Sequence, residues 1–135
     1  MRGLIGKKIG MTQTFNSVGT LIPVTVLQAG PCFVTQVKTE KNDGYDSIQL
    51  GFEDKKEKHS NRPLNGHFKK SNLTPKRILA EFLPVPNFDY KAGQKFGVSI
   101  FKKGEYVDIK GKTKGKGFSG VMKRHGFGGG PKTHG

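Results

Sequence analysis

Tryptophan is absent, cysteine occurs once, and no apolar run approaches the ~18 residues of a membrane-spanning helix. A lone cysteine, Cys32, excludes an internal disulfide, and its neighbours Pro31, Phe33 and Val34 predict a buried thiol in a reducing compartment. The opening stretch MRGLIGKKIGM lacks the continuous apolar core of a secretory signal. The chain is therefore expected to be soluble and intracellular, without a membrane partner. The most telling shortage is of negative charge: every one of the ten acidic residues lies at or before Asp108.

What is present is positive. The 135 residues carry 24 Lys and Arg and a formal net charge of +14, a balance that repels itself in isolation and suits a polyanionic partner. Residues 110–135 hold seven of those cations and no acid, so about a fifth of the chain carries half of the net charge. That segment, rich in glycine, offers only Phe118, Val121, Met122 and Phe127 for burial. Four apolar side chains do not offset the backbone entropy of ordering it, so its shape is expected to come from a partner rich in negative charge.

The first 109 residues predict one mainly β domain with a modest core. Asn16-Ser17-Val18-Gly19 separates MTQTF from LIPVTVL, and Asn42-Asp43-Gly44 separates FVTQVKT from SIQLGF, as in two hairpins. A third is read from Phe96, Val98 and Ile100, a turn at Lys102-Lys103-Gly104, and Val107 and Ile109. The polar stretch at about 54–75 holds a short helix started by Pro63 after Asn61 or Arg62, and KRILAEFL reads as a strand. Short strands joined by tight turns predict a small closed β-barrel, followed by a long irregular basic extension over 110–135.

Motifs for enzymatic chemistry fail on context. Gly115-Lys116-Gly117-Phe118-Ser119-Gly120 satisfies GxGxxG, but only five residues, VMKRH, separate it from Gly126, and no acidic residue follows to hold a ribose. Gly111-Lys112-Thr113 is no P-loop, since six residues separate Gly104 from Gly111 where the motif needs four. The four histidines are scattered without metal-ligand spacing, and no carboxylate pair flanks a nucleophile. No cofactor, metal, small-molecule substrate or catalytic residue is expected.

The basic stretch has its own logic. Lys110, Lys112, Lys114 and Lys116 recur every second residue, so an extended chain would present all four along one face toward a phosphate backbone. Glycines between them let the main chain approach and donate N–H groups, and permit φ > 0 where the path bends. Phe118, His125 and Phe127 are candidates for stacking on bases, and Lys123-Arg124 adds a double charge. Near the start, Gly6-Lys7-Lys8-Ile9-Gly10 reads as a basic, glycine-flanked turn.

MRGLIGKKIGMT, LIPVTVLQAGPC, VTQVKTEKNDGY with IQLGF, GHFKK, and YVDIKGKTKGKGFSGVMKRHGFGGGPKTHG together resemble the universal large-subunit ribosomal protein family conventionally numbered three, in its bacterial or organellar form. The resemblance implies a translation-factor-like β-barrel on the subunit surface and a basic arm pushed through rRNA toward the peptidyl transferase centre. It further implies early binding that supports assembly, neighbouring large-subunit proteins as partners, and location on a cytoplasmic or organellar ribosome. By position it makes Lys110, Lys112, Lys114, Lys116, Phe118, Lys123, Arg124, His125, Phe127, Lys132 and His134 rRNA contacts, and Lys7 and Lys8 of the N-terminal basic stretch are further candidates, with an ordinary solvated turn as the alternative there. Family members run longer, so the resemblance also implies that this chain stops inside the arm. A general nucleic-acid-compacting or RNA chaperone protein is the alternative that the same charge allows.

Overall fold

The computed structural model describes residues 3–131, which fall into two units dividing between Lys103 and Gly104. In the first, strand β1 (Gly6–Phe15) pairs antiparallel with β2 (Leu21–Ala29), Phe15 opposite Leu21 and Gly6 opposite Ala29. The connecting turn is closed by Asn16, whose Oδ1 accepts from the N–H groups of Val18 and Thr20 at 3.0 and 2.8 Å. Both strands are exposed along most of their length. The basic turn read at Gly6–Gly10 is instead strand, its register broken by a bulge between Lys8 and Gly10.

The core belongs to a second, four-stranded antiparallel sheet of β3 (Cys32–Lys38), β4 (Ser47–Asp54), β5 (Lys76–Phe82) and β6 (Lys95–Phe96), in the order β5-β4-β3-β6. Alternation in SIQLGF places Ile48, Leu50 and Phe52 on one face, fully or almost fully buried. Cys32 stands opposite Phe52 and Val34 opposite Leu50, and the cluster is completed by Tyr90 with Leu4, Ile5, Phe82 and Phe96 packed against it. Cys32 is wholly buried, as expected, and burial pushes its thiol pKa up while its Sγ donates to the Ile5 carbonyl at 3.3 Å.

Helix α1 (Glu40–Asp43) turns the chain between β3 and β4, and α2 (Arg62–Lys70) begins where Asn61 and Pro63 predict. Asn61 Oδ1 accepts from the Leu64 N–H at 3.1 Å. The helix is tied to the sheet by His67 Nε2, 2.8 Å from Gln49 Oε1, and by the Ser71 hydroxyl donating to the Thr35 carbonyl. Gly51 is required by close approach: a Cβ there would lie 2.6 Å from Lys76 Cγ and 2.9 Å from Thr35 Cγ2.

The mainly β expectation holds, with two differences. The third hairpin is not formed: Val98–Ile100 is a 3₁₀ turn and residues 105–120 make no strand. Nor do the described strands close a barrel, since β1 and β2 form their own sheet and β5 and β6 end the other. Closure demands a partner on both sides of every strand.

Candidate nucleic-acid interface

In the second unit, residues 105–120 lack regular structure, and α3 (Val121–His125) forms one short turn of helix. It ends on Gly126 at φ +68, the left-handed conformation of a helix C-cap, whose N–H donates to the Met122 carbonyl at 3.0 Å. Not one described residue of this unit is buried. The four-residue apolar inventory read from the sequence thus builds no core here.

Lys110, Lys112, Lys114 and Lys116 are all exposed and make no ion pair among the described residues. Lys123, Arg124 and His125 fall in the last turn of α3, where cations favour the negative end of the helix. Phe118 is completely exposed. His125 and Phe127 instead face one another, ring centroids 5.5 Å apart and planes at 32°. Lys132 and His134 lie outside the described residues.

The arm glycines carry independent information. At Gly111, Gly115, Gly120, Gly128 and Gly130 a Cβ would meet no heavy atom within 4 Å, and none of these sits at positive φ. The chain's own conformation and packing therefore do not call for glycine there.

On the first unit, Lys7 and Lys8 lie on β1, and the structure separates them. Lys7 Nζ is 2.7 Å from Glu53 Oε1, whereas Lys8 is exposed with no ion pair among the described residues. The Lys7 ammonium hydrogen-bonds Glu53 and holds its carboxyl below the usual range. Lys7 also opens onto a groove of about 730 Å³ whose lining includes Lys55, Lys56, His59, Lys76 and Arg77. Sequence reasoning passed over Lys55, Lys56, Lys76 and Arg77 as part of a polar insertion and a strand. The run DKKEKH was the available signal, but it does not tell which lysines are spent on neighbours.

Comparison with known proteins bears on the same residues. The family model described as ribosomal protein L3 matches residues 87–135, which include the whole basic arm. The large ribosomal subunit protein uL3 of Lysinibacillus sphaericus is 53% identical over 134 residues, 99% of this chain. The chain spans 64% of that relative's length. The β sheets and the acid-free glycine-rich arm are thus similar almost end to end to that ribosomal relative, and the arm also to the ribosomal protein L3 model.

Proposed function

We propose that this chain is a structural constituent of the large ribosomal subunit that binds large-subunit rRNA, and that residues 110–135 are its RNA-penetrating arm. The observation that carries the reading is an arm with seven cations, no acid and no buried described residue, beside glycines that nothing in the chain requires. Such a segment gains its order from phosphate contacts rather than from a core. On this reading the arm points toward the peptidyl transferase centre, binding is early and supports subunit assembly, and the neighbours are other large-subunit proteins. The ribosome concerned is cytoplasmic or organellar, and the role is structural rather than catalytic. The translation-factor-like barrel belongs to the same reading, with β5 and β6 as the edges at which further strands would pair.

The test is binding of a large-subunit rRNA transcript across a salt series. Affinity should fall steeply as salt rises, and deletion of residues 110–135 should weaken it and flatten the dependence. Unchanged affinity after the deletion overturns the arm's role. If bulk duplex DNA displaces the transcript at equal concentration, the chain is a general nucleic-acid-compacting protein instead.

A further inference from the structure

We propose that the groove on the first unit is a second RNA contact, one that takes the phosphate backbone and reads no base. The proposal rests on the rRNA-binding reading and extends it from the arm to a preformed surface. Five of the groove's side chains are cations, Lys7, Lys55, Lys56, Lys76 and Arg77, against two carboxylates, Glu53 and Asp54.

The pairing inside the groove decides which cations are available. Lys76 is spent: its side chain is 4% exposed, its Nζ lies 2.6 Å from Asp54 Oδ1 and 3.3 Å from Thr74 Oγ1. Lys7 is held by one bond rather than spent, and Arg77 stands near the same carboxylate. Glu53 meets Lys7 Nζ at 2.7 Å through Oε1 and Arg77 Nη1 at 4.0 Å through Oε2, leaving each cation further N–H donors. Glu53 itself holds φ +56, a conformation uncommon outside glycine. Lys55 and Lys56 make no side-chain hydrogen bond or ion pair among the described residues, and so have their whole charge to offer.

The aromatic lining argues for backbone rather than base. Phe52 is buried, and the Phe33 ring has Lys76 Nζ over it, 4.1 Å from the centroid. Phe52 gives a nucleobase no open ring and Lys76 covers one face of Phe33, which leaves the small exposed imidazole of His59 as the lining's open ring. Several cations beside so small a stacking surface suit repeated phosphates, whatever the sequence.

The decisive experiment is filter binding of the 135-residue chain to a large-subunit rRNA transcript and to an unrelated structured RNA, from about 50 to about 200 mM salt. The variant Lys55→Gln/Lys56→Gln should lose roughly tenfold in affinity at about 0.15 M salt and flatten the salt slope by about 2, equally on both RNAs. Lys55→Arg/Lys56→Arg should restore both, and a wild-type circular dichroism melt should accompany each variant. Lys41→Gln/Lys91→Gln removes the same charge elsewhere on the unit and should cost less than about threefold. An unchanged slope in Lys55→Gln/Lys56→Gln, while Lys112→Gln/Lys114→Gln/Lys116→Gln binds weakly, overturns the groove and leaves the arm standing. Equal losses in the Lys41/Lys91 control reduce the groove to net charge and overturn it too. Displacement of the RNA by polyglutamate at equal charge concentration assigns the groove to an acidic protein. If the unaltered chain binds neither RNA, the rRNA reading itself fails and the groove with it.

Discussion

Lys76 and Lys112 are the same residue type put to opposite uses. Lys76 is enclosed, its ammonium held by Asp54 at 2.6 Å and its stem laid over Gly51, while Lys112 is exposed and makes no ion pair among the described residues. Counting cations along the sequence cannot separate them, because the difference lies in a carboxylate brought alongside from the neighbouring strand. Asp54→Asn tests the first use. It leaves the enclosed ammonium without a counter-charge, and should lower unfolding free energy by about 1–2 kcal/mol in urea melts, the modest end of the range because Asp54 is largely exposed. No change in the urea midpoint would mean that Thr74 and Phe33 hold Lys76 unaided.

Elements were legible wherever a periodic pattern met explicit turn or cap chemistry. The two hairpins around Asn16–Gly19 and Asn42–Gly44, the helix after Asn61 and the strand at KRILAEF all stand where the sequence places them. The α2 cap invites a measurement: Asn61→Ala removes the acceptor for the Leu64 N–H and should cost about 1 kcal/mol in thermal or urea unfolding. A cost near zero would show that Pro63 and the ties to Gln49 and Thr35 fix the helix start without it. The third hairpin misled for a physical reason. Val98, Ile100, Val107 and Ile109 alternate, but all four are exposed, with no ladder to join and no covered face to turn toward. Alternation marks a strand only when a sheet receives it. The barrel was read from strand number and spacing, which do not encode whether edges meet.

At the scale of the whole molecule, the acid-responsive carboxylates and the acid-free basic arm are segregated along the chain. Glu53, Asp54 and Glu81 each have a pKa below the ordinary value, owing first to hydrogen bonds from Lys7, Lys76 and Lys38 respectively. For carboxylates lowered in the folded state, the stabilisation is complete above the unfolded values of 4.5 for Glu and 3.8 for Asp, and is lost as pH falls through the native ones. Melting temperature should therefore change little from about pH 7 to about pH 5 on account of these groups and drop below about pH 4. A melting temperature that rises in that acid range would contradict the pairing. The arm holds no carboxylate to protonate, so this acid sensitivity belongs to the sheets alone. Its charge asymmetry was plain from composition. The groove was not, because it gathers residues from β1, β4, β5 and the turn at Lys55–His59, which only the folded register brings together.

The open space around the arm glycines has an evolutionary corollary. A methyl group added at Gly111, Gly115, Gly120 or Gly128 collides with nothing the polypeptide supplies, so a screen that scores folding alone will rate alanine there as harmless. On the proposed function, selection acting on the assembled particle would judge the same changes by whether the thread still fits between RNA helices. Tolerance in the test tube and tolerance in the cell should part at those positions.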